Sequence, residues 1–403
     1  VLPQLNFQPR KPTEWQLSNG LRVMFERDPI VPMVRGTLYL PGGAIFEPAE
    51  LAGLAGATGQ QMREGGIEWL PPNVLDKRLD GLGAAIESSF GDQYGSVAFS
   101  CLTENLPEIL QVFAGVVRRP RFDTGRLELW KKLALEGIAR RRDDPDTMAS
   151  MIYAAVLYGD NSPYNRVETP DTVKRITVEE MRKFYRRFAR PNGAILVISG
   201  DVELELLKEL IQMQLGSWSA VSETLPMLPE MKAEFRPGLF VLKRKFDQST
   251  ILLGHLGPPR VFPEMYAISV FNRLFGMGGL ESKLFSEVRS KDGLAYSVYG
   301  GVFPGVKYGN FQVSMGTRGT ETARAISRVL ELTEDAVKVA PNATDIGHAQ
   351  EGVNRGFVFK FATPELVTVR AAIIDVFGYP KFFDSTYLEG IRDGAALSVL
   401  DAA

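Results

Sequence analysis

Short stretches with a period of two alternate along this chain with longer ones whose apolar residues recur every three or four positions. These are the rhythms of strand and helix. Leu17-Ser18-Asn19-Gly20-Leu21-Arg22-Val23-Met24-Phe25 places Asn-Gly between β-forming residues and predicts a hairpin. Val34 to Leu40 reads as a second strand, ended by Pro41-Gly42-Gly43, and Glu50 to Glu64 as a helix closed by Gly65-Gly66. A helix over Asn73–Leu82 and strands over Ala85–Phe90 and Tyr94–Leu102 come next. Amphipathic helices then cover Asn105–Arg118 and Thr124–Arg142, and Asp144-Pro145 stops the second. Thr177 caps a helix running to Phe188, with Glu180 three residues on. Ala194 to Gly200 is apolar on both sides and predicts a strand buried on both faces.

Between about Ser217 and Pro237 the rhythm dissolves into Ser, Glu and Pro, which marks a linker. Beyond it the chain echoes its own start. Gly238-Leu239-Phe240-Val241 resembles Gly20-Leu21-Arg22-Val23, and the strand Ser249–Leu256 ends in Gly257-Pro258-Pro259 as the earlier one ends in Pro41-Gly42-Gly43. A helix over Pro263–Phe275 takes the place of Glu50–Glu64. All three echoes share an offset of about 215–218 residues, which argues for two copies of one α+β unit. The expected organisation is a first domain over 1–217, a linker over 218–237 and a second domain over 238–403. Each domain would be a mainly antiparallel sheet flanked by helices.

Composition narrows the function classes. At 403 residues the chain is long enough for two cores. Its 46 basic and 48 acidic residues nearly cancel, so neither nucleic acid nor an anionic membrane surface is an expected partner. No apolar run approaches the ~20 residues of a membrane span. The single cysteine, Cys101, excludes an intramolecular disulfide and a cysteine-based zinc site. The chain starts Val1-Leu2-Pro3, without an initiator methionine. A removed secretory signal fits that start, which makes the periplasm the expected compartment and the cytoplasm the alternative.

Gly53-Leu54-Ala55, Asp143-Asp144-Pro145, Ser162-Pro163-Tyr164 and, above all, Gly278 to Arg289 with Gly293-Leu294-Ala295-Tyr296-Ser297 resemble the insulinase–pitrilysin zinc peptidases. The resemblance is to their two-domain branch, which includes the mitochondrial processing peptidases, and it implies a LuxS/metallopeptidase-like fold. In active members the helix after Gly-Leu-Ala carries His-x-x-Glu-His: two histidines on one helical face bind zinc and the glutamate activates water. The matching positions here are Gly56, Gly59 and Gln60, and the further glutamate ligand falls on Gly137. Glu136 is adjacent but turned by about 100°. The only histidines, His255 and His348, are 93 residues apart in the second half and read as a strand residue before a turn and an exposed loop or helix residue. The resemblance therefore implies a subunit without zinc, inactive alone.

Arg289 and Tyr296, seven residues apart, match a family pair that the second domain contributes across from the zinc. A phenol can donate to the tetrahedral oxyanion of amide hydrolysis, and a guanidinium can hold a substrate carbonyl. Arg289 is expected near the end of a helix over Leu280–Ser290, and Tyr296 on a strand over Leu294–Tyr299. The bland alternative pairs Arg289 with Glu287 or Asp292 and leaves Tyr296 half-buried in a sheet. Gly276-Met277-Gly278-Gly279 is too short for a phosphate cradle and lacks the Lys-Ser/Thr that would come after one. The zinc-free subunit of the processing peptidases carries a much longer glycine-rich loop in this region. The strand before Pro41 is expected at a sheet edge open to an added peptide strand. Family members continue past the equivalent of Ala403 with a further helix and strand.

The residues leave two readings of function. In one, the chain is the zinc-free subunit of a heterodimeric metallopeptidase and supplies Arg289 and Tyr296 to a homologous His-x-x-Glu-His partner that holds the zinc and cleaves peptides. In the other, it is an inert structural subunit, comparable to the core subunits of respiratory complexes.

Overall fold

The computed structural model describes residues 7–160, 162–231, 237–393 and 399. The Asn19-Gly20 signal forms its hairpin, β1 (Thr13–Gln16) antiparallel to β2 (Arg22–Arg27). The connection is longer than two residues because Asn19 leaves it to donate to the carbonyls of Leu215 (2.8 Å) and Trp218 (2.9 Å). The chain continues through β3 (Met33–Pro41), α1 (Leu54–Glu64), α2 (Pro72–Gly81), β4 (Ala85–Phe90) and β5 (Tyr94–Leu102). Helices α3 (Leu106–Arg118), α4 (Thr124–Arg140), α5 (Pro145–Tyr158), α6 (Pro170–Arg175) and α7 (Val178–Phe188) precede β6 (Ile195–Gly200) and α8 (Leu204–Leu215). Thr177 caps α7 by accepting from the Glu180 amide. Every residue of β6 is buried, as its two apolar faces require.

The six strands form one sheet in the order β1-β2-β6-β3-β5-β4, antiparallel except for the β2–β6 pair. Contrary to the sequence expectation, β3 is not an edge. It pairs with β5 on one side and β6 on the other, and Val34, Gly36, Leu38 and Leu40 are buried along it. Its apolar alternation is that of an interior strand, and a peptide cannot add to it. The sheet edges are β1 and β4.

The second half contains β7 (Gln248–Gly257), α9 (Met265–Asn272), β8 (Ala295–Phe303), β9 (Gly309–Arg318), α10 (Thr322–Lys338), α11 (Ala343–Val358), α12 (Pro364–Val376) and α13 (Phe383–Asp393). Its sheet has the order β7-β9-β8, wholly antiparallel. The segment Gly238–Val241, which echoes Gly20–Val23 in sequence, forms no strand, and Leu239, Phe240 and Val241 are exposed. β2, which it echoes, is held between β1 and β6, whereas no described residue offers this segment a backbone partner. The fold is α+β, with one mixed and one antiparallel sheet. The linker region lacks helix and strand over 219–231 and is tied to both halves, with Lys307 and Tyr308 of the second donating to Glu230 (2.5 and 2.6 Å). Asn192 exchanges two hydrogen bonds with the Val221 backbone, and Tyr164 donates to the Pro229 carbonyl.

Each half lends a helix to the other half's sheet. α5, capped by Asp144 with Pro145 at its first turn, lies on β7. Tyr153 donates to the Phe311 carbonyl (2.9 Å), Asn310 to the Tyr158 phenol (3.1 Å) and Thr250 to Asp146 (2.7 Å). α12, capped by Thr363 with Pro364 at its first turn, lies on the first sheet. There Ala372 is buried among Met24, Ile195 and Val197, and Asp375 pairs with Arg22 at 2.6 Å.

Helix α1 is held at its start and at its middle. At its start the Glu47 carboxylate, 3% exposed, accepts from the amides of Gly53 (2.9 Å) and Ala55 (2.8 Å). Burial pushes the Glu47 carboxyl up to about 7, against the lowering effect of those two amides and of Arg166. Farther along, Gly59 lies so close to β4 that a Cβ there would be 2.1 Å from the Phe90 nitrogen. The Ser88 hydroxyl seals the contact by donating to the Gly59 carbonyl (2.6 Å). The second half repeats this at Gly276, where a Cβ would be 2.3 Å from the Gly300 carbonyl oxygen of β8.

Substitutions along this helix should act in opposite senses. Gly59→Ala forces the helix off β4 and destabilises by about 3 kcal/mol or more. Gly56→Ala, with nothing within 4 Å of its Cβ, stabilises by up to about 1 kcal/mol. Urea denaturation should therefore move the two variants' midpoints in opposite directions. Because the folded Glu47 carboxyl titrates above its unfolded value of 4.5, its ionisation opposes folding. The penalty is absent below about pH 4.5 and complete above about pH 7. The urea midpoint of the wild type is expected to fall between pH 5 and 8 by an amount that Glu47→Gln abolishes, at most about 3 kcal/mol.

Candidate functional site

The four positions matched to the zinc ligands offer no metal site. Gly56 and Gln60 are half-buried on α1, and the Gln60 amide donates to Glu64 (2.8 Å). Gly59 is buried against β4 with no room for a side chain, and Gly137 is exposed on α4. Among the described residues, no group of three or more His, Cys, Asp or Glu could hold a metal ion. Zinc needs three or four such donors converging at about 2 Å. The residues present do not fit it. His255 is exposed on β7, stacked on the Phe311 ring with its Nδ1 against the Leu256 carbonyl, and His348 is exposed on α11. Cys101 is free and buried, and burial pushes its thiol up to about 12.

Arg289 and Tyr296 come together. The helix expected over Leu280–Ser290 begins later, after Ser282, and becomes a π-helix over Phe285–Lys291 that carries Arg289 near its end. π-turns inside helices often mark functional positions. β8 then starts with a register shift between Ala295 and Ser297, so Tyr296 is the extra residue of a bulge. The bulge turns its side chain outward, and Tyr296 is 80% exposed rather than half-buried in the sheet. The Arg289 guanidinium carbon lies 5.3 Å from the centre of the Tyr296 ring and 4.7 Å from that of Phe285. Both distances are within cation–π range.

The carboxylates expected to neutralise Arg289 are occupied elsewhere. Arg328, on α10, donates to Asp292 (3.0 Å) and to Glu287, and reaches Glu331 at 3.2 Å. Lys291 also pairs with Glu287 (3.1 Å), and these two cations hold the Glu287 carboxyl below its ordinary value. Among the described residues Arg289 has no ion pair, so an exposed cation stands beside an exposed phenol on two aromatic rings. Sequence reasoning missed Phe285 and Arg328. Phe285 could have been found, since it lies four residues before Arg289 on the same helical face. Arg328 lies 39 residues on, in another helix, and no local pattern connects it.

Comparison with known proteins bears on the whole chain. Residues 175–352 match the family model for the peptidase M16 inactive domain. An uncharacterized zinc protease of Mycobacterium leprae is 28% identical over 289 residues, covering 70% of this chain and 64% of that protein. The uncharacterized zinc protease YmxG of Bacillus subtilis is 24% identical over 282 residues, covering 70% of this chain and 68% of its own length. The chain thus spans about two thirds of these relatives. Among solved structures, a peptidase M16 inactive domain from Pseudomonas fluorescens has a TM-score of 0.85 at 21% identity, covering 98% of this chain and 94% of that one. The periplasmic protease PqqL of Escherichia coli has a TM-score of 0.80 at 14% identity, covering 100% of this chain and 46% of the other. Residues 175–352 thus match a peptidase M16 inactive domain, the chain is similar to proteins named zinc proteases, and its sequence contains no His-x-x-Glu-His.

Proposed function

We propose that this chain is the zinc-free subunit of a two-chain metallopeptidase and supplies Arg289 and Tyr296 to a homologous partner that carries His-x-x-Glu-His and the zinc. The observation that carries this reading is the contrast between two places in one molecule. The helix that would hold zinc is packed shut at Gly59, while Arg289 and Tyr296 stand together, exposed, without a carboxylate to quench the cation. In that role the Tyr296 hydroxyl donates to the oxyanion formed at the scissile carbonyl. The Arg289 fork holds a neighbouring main-chain carbonyl of the peptide. Both groups stabilise charge that develops in the transition state.

The same reading treats residues 1–217 and 238–403 as two copies of one unit joined by 218–237. In support, strand–helix order recurs at an offset of about 216 residues, from β3 and β7 to the lent helices α5 and α12. The periplasm is the proposed compartment, as for PqqL. No helix among the described residues is long and apolar enough to cross a membrane. A second reading, an inert structural subunit, draws on the word "inactive" in the matched family description. It predicts no peptidase activity that depends on this chain.

Co-purification with a His-x-x-Glu-His relative, and then a peptide-cleavage assay, separates the two. Arg289→Ala and Tyr296→Phe should each lower kcat of the reconstituted pair by about 10²–10³-fold, and full activity in both variants would sink the proposal. Installing the missing ligands as Gly56→His, Gly59→Glu, Gln60→His and Gly137→Glu should give no zinc-loaded folded protein, because the side chain at 59 meets β4. A folded quadruple variant carrying one zinc by elemental analysis would refute the closed-helix account.

A further inference from the structure

The acidic residues nearest Arg289 in sequence ought to neutralise it. Glu287 lies two residues before it, on a different side of the helix, and Asp292 lies three residues after, at a spacing from which a carboxylate can reach the guanidinium. Neither does so. Both carboxylates are turned toward Arg328, which presents Nε to Asp292 and Nη2 to Glu287 and leaves Nη1 for Glu331. A guanidinium suits this task because its planar fork serves several oxygens at fixed angles, whereas an ammonium acts as a point charge. On its other side Arg289 meets only the rings of Phe285 and Tyr296, which attract the cation without supplying negative charge.

We propose that Arg328 is a positioning residue: by holding Asp292 and Glu287 it keeps the Arg289 guanidinium free of an acid partner and available to an incoming carbonyl. The inference rests on the reading of Arg289 as a substrate-contacting group, but the arrangement it describes belongs to this chain alone. Without Arg328, Asp292 swings to Arg289 and pairs with it, and the cation is occupied before any peptide arrives. Lys291 keeps Glu287 engaged in either case, so Asp292 is the competitor.

The test labels the isolated chain with phenylglyoxal and tracks modification of Arg289 by peptide mass spectrometry, with the exposed Arg318 as internal reference. Relative to wild type, Arg328→Met should slow labelling of Arg289 by about threefold, the protection expected of an exposed ion pair. Adding Asp292→Asn to Arg328→Met should restore the wild-type rate. A purely structural role for Arg328 would not be rescued by removing a second charged residue. Unchanged labelling in Arg328→Met, or no recovery in the double variant, overturns the proposal. If circular dichroism shows that Arg328→Met does not fold, Arg328→Gln takes its place, since a neutral amide leaves Asp292 without its cation. Slower labelling there supports the proposal, and a wild-type rate overturns it. Should the labelling behave as expected while Arg289→Ala leaves the reconstituted pair fully active, the proposed function fails and the positioning role stands.

Discussion

The structure depends on a reciprocal loan. Helix α5 leaves the first half to cover β7, and α12 leaves the second half to cover the first sheet. Neither sheet could keep its lent-helix face from water without the other half. Where Ala372 packs on Met24, Ile195 and Val197, the apolar surface of one half is closed by a residue nearly 350 positions away from Met24. Polar contacts then fix the fit. The Tyr153 phenol reaches the Phe311 carbonyl of β9, and Arg22 pairs with Asp375. Side-chain contacts as well as chain connection therefore join the two halves.

Within that frame, one close contact decides what the first half can do. A helix approaching a strand backbone as nearly as α1 approaches β4 excludes any side chain larger than hydrogen at the crossing. Gly59 stands there, at the position that the resemblance to zinc peptidases matches to their glutamate. The second half makes the same kind of contact at Gly276 against β8. The first half has therefore closed in the manner of the second. A side chain at position 59 would meet the backbone of β4 whatever its chemistry.

The second half takes the opposite course at its surface. A π-turn and a β-bulge, both irregularities that cost ladder or helix hydrogen bonds, bring Arg289 and Tyr296 side by side and outward. The charges around them are sorted so that Arg328 and Lys291 satisfy the local carboxylates while Arg289 rests on aromatic rings. An exposed tyrosine on an edge strand gains little by burial.

Much of this was legible in the chain itself. The strands at Ala85–Phe90 and Tyr94–Leu102 and the helices of the first half arise from periodicity and caps, because local apolar spacing fixes which face must be buried. That Gly56, Gly59 and Gly137 bring no side-chain donor was also a matter of reading residues, since glycine has no side chain. Neighbours distant in sequence decided the rest. β3 is central because β6, about 160 residues later, pairs along it, and Gly238–Val241 stays open because no described strand lies beside it. Arg289 has no ion pair among the described residues, and its acidic neighbours are met by Arg328, from a helix 39 residues on. Alternation shows which face of a strand is apolar but not which strand lies next to it. A charge pattern shows which carboxylates are near but not which cation reaches them first.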